Sequence, residues 1–346
     1  MALDELYIYD LNFKKIAIID NAKSVIWTER FDECGDFEIY MLADTKIMRM
    51  LTSSKFACYV THRDSDMVGL IEKYTVETDE EQNRYVIISG RCAVSLLSRR
   101  VIDNQEDFTN KTVPVILNEI IQNNITNSTV AARNITGLQY AESSMSKTPS
   151  TITGNYFGKN LYECVIELCR TYGYGIKSVA RENNGKTVGI NLILYVGTDR
   201  KGKVIFSADY DNLLESTYSD SEIEFVNAAL VSTSGDIPMA LTTTYAGGGT
   251  GIRRKEIYVE VKNTKTTDTN ILKSYGNQEL AKHHYTGIFE AKANSVGTFE
   301  YKTHYNLGDT VAVKTGYGFT TYAIVSEITT SLDDTGYHLT PKLKIK

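Results

Sequence analysis

The chain has 346 residues, 42% hydrophobic and 23% charged, with a formal net charge of −6. This is the makeup of a folded protein of about two to four structural units, and its acidic balance argues against a nucleic-acid binder that neutralises phosphates with clustered Lys and Arg. No run of about 18 apolar residues predicts a membrane-spanning helix, and the acidic start, MALDELYIYD, lacks the positive region of a secretory signal, so export is not expected.

Tyrosine is abundant at 23 copies and proline scarce at 4. Tyr, Thr, Val and Ile favour pleated, half-buried surfaces, so strands are expected to dominate. The first hundred residues predict strands at Leu6–Tyr9, Lys15–Ile19, Val25–Arg30, Asp36–Met41, Phe56–His62, Met67–Thr78 and Asn83–Ser89. Turn clusters such as Asp20–Asn21 and Asp64–Ser65–Asp66 punctuate them. Asp36 to Met41 alternates, with Phe37, Ile39 and Met41 on one face, which is the period of a half-buried strand. Many short strands with regular turns fit a small barrel or sandwich.

A more helical middle follows. Thr112 to Asn123 puts Val113, Ile116, Leu117, Ile120 and Ile121 on one stripe, with Pro114 in the first turn, where its missing N–H costs nothing. Asn160 to Tyr172 is the strongest helix: Leu161, Cys164, Val165, Leu168, Cys169 and Tyr172 recur at three- and four-residue spacing. Asn160 can cap it, with Glu163 three residues on, and Gly173 can end it. Between these helices Asn127 to Gly154 is rich in Ser, Thr and Asn and is expected to form a long surface excursion.

Strand character returns from Tyr174 to Ser232, strongest at Val188–Tyr195 and Ile223–Ser232. Tyr245–Lys255 (YAGGGTGIRRK) reads as a connector before a strand at Glu256–Val261. A helix over Asn270–His284 leads into strands at Gly287–Ala293, Gly297–Thr303, Thr310–Lys314, Thr320–Ile328 and Tyr337–Ile345. Asp333-Asp334-Thr335-Gly336 is a hairpin turn joining the last two. The class is mainly β with an α/β middle: two small β-barrel domains joined by a helix-containing central region. The expected divisions are a first barrel over 1–103, a central α/β region over 104–206, a strand-rich connection with the Gly-rich linker over 207–251, and a second barrel with a preceding helix over 252–346.

No motif assigns chemistry. GGGTG at 247–251 invites a phosphate loop, but the dinucleotide fingerprint needs a strand before it and a helix after, and here a strand follows. Gly185-Lys186-Thr187 matches the tail of a Walker A motif whose first glycine would fall at Ala180, so a hairpin tip fits better. His283 and His284 point about 100° apart on a helix, and His62, His304 and His338 are scattered, so no metal site is expected. Cys34, Cys58, Cys92, Cys164 and Cys169 are odd in number and form no CxxC, which argues against a disulfide framework and for thiols of a reducing cytoplasm. Cys164 and Cys169 fall on an apolar stripe, where burial outweighs a nucleophilic role. Asp32, Glu33 and Asp36, and Asp209 with Asp211, are the paired carboxylates glycoside hydrolysis uses at fixed separations, but their turn positions favour solvation. The sequons at Asn110, Asn124, Asn127 and Asn134 carry no meaning without export. No catalytic, cofactor-binding or metal residue is assigned, and an enzyme is not expected.

Three segments read together are more specific. In Ser24–Met41 (SVIWTERFDECGDFEIYM) an aromatic-bearing strand enters a Gly turn and an alternating strand, marked by Trp27, Gly35 and Phe37. Gly90–Ile102 (GRCAVSLLSRRVI) holds a short helix ending Leu-Leu-x-x-Arg, marked by Leu96, Leu97 and Arg100. NQELAKHHYTGIFEAKA followed by Thr303–Val313 gives a helix, a strand pair and a Tyr-x-Leu-Gly-Asp turn, marked by Tyr305, Leu307, Gly308 and Asp309. In this order the segments resemble the bacteriophage tail hub family, the siphophage tail-tip hubs related to the baseplate hub of contractile tails.

The resemblance implies that these ten residues are structural, that no cofactor is bound, and that the chain forms a homotrimer at the tail tip of the virion, assembled in the host cytoplasm. Two similar barrels per chain would give a pseudo-sixfold ring, matching a distal tail or tail-tube protein above and a threefold spike or fibre below. The tape-measure protein is a further implied partner, and DNA would pass through the channel without specific binding; no membrane insertion is implied. Many relatives extend into a lytic or fibre-like region, and this chain stops at Lys346, so wall hydrolysis is not carried over. The rival readings are a carbohydrate- or receptor-binding tail protein, which the tyrosines encourage, and a cell-wall hydrolase.

Overall fold

A computed structural model describes residues 5–54, 58–104, 107–210, 212–233, 236–243, 249–261, 268–283, 286–293, 298–314 and 320–345. The first block holds β1 (Leu6–Asp10), β2 (Lys15–Ile19), β3 (Ser24–Arg30), β4 (Asp36–Leu42), helix α1 (Thr45–Ser54), β5 (Cys58–His62), β6 (Val68–Thr78) and β7 (Arg84–Cys92). The middle holds β8 (Asp107–Thr112), α2 (Val113–Ile121), β9 (Leu138–Glu142), β10 (Thr151–Asn155), α3 (Leu161–Tyr172), β11 (Gly175–Asn183) and β12 (Lys186–Tyr195). Then come β13 (Ile205–Ser207), β14 (Leu213–Ser221), β15 (Ala228–Thr233), β16 (Asp236–Thr243) and β17 (Glu256–Val261). The last elements are α4 (Thr269–Lys282), β18 (Thr286–Ala293), β19 (Thr310–Lys314), β20 (Thr320–Asp333) and β21 (Gly336–Ile345).

Local signals place most of these. β3 and β4 pair antiparallel with Trp27 opposite Phe37 and Val25 opposite Ile39, and the alternation buries all four. The side chain of Asn160 accepts from the N–H groups of Tyr162 and Glu163, and Gly173 closes α3 in the left-handed conformation at φ 64°. Asn184 and Gly185, both at positive φ, form the tip of the β11–β12 hairpin, so the Walker-like run is a turn.

Elsewhere tertiary context decides. α1 has no counterpart among the expected elements; Asp44 caps it on Ile47, and Ile47 and Leu51 are its buried core residues. The excursion from Asn127 to Gly154 is corrected too: Leu138 and Ile152 are buried, β9 pairs parallel with β12, and β10 pairs with β8. The strand expected from Ile223 begins only at Ala228. No strand forms over 298–303: the Glu300 N–H bonds His304 Nδ1, and the His304 N–H bonds the Glu300 carbonyl, a local turn that takes up both donors. Phe56, Asp211, Gly247, Gly248, His284 and Gly297 lie outside the described residues.

The class is mainly β with helices in the middle, as expected. One sheet runs through both ends of the chain in the order β14-β18-β21-β20-β3-β4-β7-β6-β5-β1-β2, with β19 on β20 and β13 on β19. Its seam is the antiparallel pair β3–β20, in which Trp27 stands opposite Thr330 and Val25 opposite Leu332. The first core fills the space between the first block and the middle, and a second core gathers around β19, β20 and β21. A smaller third core lies between α4 and the sheet β16-β15-β17. The strands that the glycine-rich run connects, β16 and β17, thus flank β15 in that small sheet. Among the described residues no helix is long and apolar enough to cross a membrane.

Candidate functional site

The first block, the middle and the last block meet just beyond β3. Phe31 follows the strand immediately, yet its ring belongs to the second core, at 4% exposure. Its N–H donates to the Ser326 carbonyl at 2.9 Å, and its own carbonyl accepts from the Ile176 N–H at 3.0 Å. The ring meets Tyr195 edge-on at 5.3 Å. Bare backbone presses on it: a Cβ on Gly175 would stand 2.3 Å from the ring and one on Gly308 2.5 Å, and Gly308 holds φ at +90°. Close approach and left-handed backbone together make this a position for glycine.

Asp309 fixes the turn that carries Gly308. It is 2% exposed, and its carboxylate accepts from the Thr198 N–H (2.7 Å), the Asn306 N–H (2.9 Å) and Arg200 Nε (3.4 Å). A buried carboxylate needs such donors, and here they tie the turn to the segment after β12. Tyr305 packs edge-on against Phe206 at 5.3 Å, and Leu307 completes the same core.

Arg30 clasps the seam. It pairs with Glu327 of β20 at 2.5 Å, with Asp36 across the turn, and donates to the Cys34 carbonyl at 2.9 Å. Beside it lies a cavity of about 320 Å³, lined by Glu29, Asp66, Lys177, Tyr195, Lys302 and Asp309 among others. Its charges are spoken for: Lys177 pairs with Asp66 at 3.3 Å, Lys302 donates to the Asp64 carbonyl at 2.5 Å, and Ser65 donates to Glu29 at 2.9 Å. Burial pushes the Glu29 carboxyl up, against the pull of Lys302 and of the Ser65 hydrogen bond. Paired charges in a small polar cavity hold segments together.

The motif residues therefore divide. Trp27, Phe37, Leu96 and Leu97 lie buried in the first core, and Tyr305 and Leu307 in the second. Gly35, Leu307 and Asp309 line the junction cavity, so the two ends of the sequence converge there. Arg100 lies apart, donating to the Arg133 carbonyl at 2.9 Å. The turn acids are likewise engaged: Glu33 pairs with Arg170, Asp36 with Arg30, and Asp209 with Lys314 at 2.5 Å. Among the described residues no group of three His, Cys, Asp or Glu side chains is placed to hold a metal. Phe31 and Glu29 belong to no motif in the sequence; the one local signal is an aromatic set between the end of a strand and a Gly turn.

A family model described as Siphovirus ReqiPepy6 Gp37-like protein matches residues 5–343. No curated protein matches the chain. Its fold is similar to that of the tail protein from Neisseria meningitidis MC58, at 10% identity and a TM-score of 0.60, covering 99% of this chain and 96% of that one. It is also similar to the 43 kDa tail protein of prophage MuSo2 from Shewanella oneidensis, at 14% identity and a TM-score of 0.58, covering 98% and 96%. A third likeness, at 11% identity and a TM-score of 0.50, is to an E. coli type VI secretion component described as structurally similar to the T4 bacteriophage tail proteins gp27 and gp5; it covers 94% of this chain and 73% of that one.

Proposed function

From the premise that the chain belongs to the Siphovirus ReqiPepy6 Gp37-like family and is a phage tail protein related to baseplate hubs, we propose that it is the hub at the distal end of the tail tube. In this reading three copies close a ring, and residues 1–103 and 252–346 are the two barrel domains each copy contributes, with β13 and β14 joined to the second by strand pairing. Six similar units above and three copies below adapt a sixfold tube to a threefold spike or fibre. DNA passes through the centre without specific binding, and the chain acts as a structural part rather than an enzyme. The observation that carries this reading is the seam: β3 pairs with β20, and Phe31 of the first block fills the second core, so both end blocks share one sheet and one core residue. A ring of six units built from three chains requires a fixed spacing within each chain.

Class averages of tail particles labelled with antibody to this protein, with the mass of the purified protein in solution, test the proposal. Label at the tail tip and a ring of three copies are expected. Label along the tube or on side fibres, with none at the tip, would overturn it.

A further inference from the structure

We propose that Cys34 and Cys92 are a disulfide site, whose closure staples the β3–β4 turn to the end of β7. Both are free thiols here, and their sulfurs stand 3.1 Å apart, inside ordinary non-bonded sulfur contact. The backbones are already held in place: the Cys92 N–H donates to the Gly35 carbonyl at 2.8 Å, and Asp36 is in register with Arg91 across β4–β7. Cys34 is anchored separately, its N–H donating to the Tyr162 hydroxyl at 3.1 Å and its carbonyl accepting from Arg30. Forming a bond of about 2.05 Å thus asks for a small approach of two side chains on fixed strands, the condition that engineered disulfides often fail to meet.

The chemistry needs an oxidant, which a small disulfide such as oxidised glutathione supplies. Cys34 is the partly exposed partner and Cys92 is buried. The Cys34 thiol loses its proton and attacks one sulfur of the small disulfide, expelling the first glutathione as thiolate. Cys92, losing its proton in turn, attacks Cys34 Sγ and expels the second. The two cysteines lose two electrons, and one disulfide becomes two thiols, which take up the two protons. The hydrogen bond to Cys92 and burial hold the Cys34 thiol above its ordinary range, so exchange is slow at neutral pH and quickens as pH rises. The bond stays open in a reducing cytoplasm and closes outside it. Its staple falls beside the seam clasp of Arg30 and beside Gly35 in the junction cavity wall, where it limits opening of the β3–β4 turn.

The full chain incubated with oxidised glutathione at about pH 8, quenched with acid and mapped by mass spectrometry without reduction, tests the site directly. A loss of two hydrogens, a linked pair of peptides carrying Cys34 and Cys92, and a Tm rise of about 5 °C that dithiothreitol reverses are expected. Cys34→Ser and Cys92→Ser should each lose the link and the rise. If either variant fails to fold, the wild-type peptide map alone still distinguishes a Cys34–Cys92 link from its absence. Retention of all five thiols, glutathione resting on Cys34, or a link to Cys58, Cys164 or Cys169 would overturn the proposal.

Discussion

Trp27 and Phe31 stand four residues apart and serve different cores. Trp27 is 1% exposed, stacks at a tilt on Phe37 at 5.2 Å, and donates its indole N–H to Ser65 at 3.0 Å. Trp27→Ala leaves a cavity no neighbour can fill and is expected to cost about 3–5 kcal/mol; an unchanged urea midpoint would refute that placement. The same Ser65 donates to Glu29, whose carboxyl burial pushes up. A carboxyl raised in the folded state keeps its proton where the unfolded chain has released it. Its contribution is therefore full at acidic pH and is lost as pH climbs from the ordinary carboxylate range through the raised folded value. Glu29→Gln should flatten that loss, so thermal melts of wild type and variant should diverge toward neutral pH, with the variant the more stable. Parallel curves across the range would assign the pH dependence to other groups.

At the scale of elements, α3 is the most legible part of the sequence and the seam the least. Cap, apolar stripe and closing glycine of α3 all act within one or two turns, so a short stretch of chain carries the whole message. Asn160→Ala should cost about 1 kcal/mol, read from the midpoint of chemical denaturation; no change would mean that tertiary packing alone holds the helix start. The β3–β4 hairpin is legible for the same reason, since its partners alternate in register a few residues apart. The other edge of β3 pairs with β20, and nothing near Trp27 announces Thr330. α1 and β9 escape detection because one or two buried residues each, set by distant partners, are all the pattern they offer. The same divide runs through the junction: Gly35 and Gly308 stand out in local turn patterns, but that Gly308 presses on Phe31 and that Gly35 lines the cavity with Glu29 depends on folding the ends together.

At the scale of the whole molecule, the shared sheet means that neither end block is finished without the other. Arg30 reaches Glu327 across 297 positions of sequence, and Thr28 reaches Thr329 across 301. Contacts of such separation are slow to form, because loop closure must come before any of them is made. During synthesis the first block leaves the ribosome while β20 has yet to be made, so β3 spends that interval as an open strand edge. Its row of free N–H and C=O groups is a template for any matching strand, including the same edge of a neighbouring nascent chain. In the proposed ring of three copies, the yield of assembled particles then depends on a race: the chain's own last strands must reach β3 before another chain's first ones do.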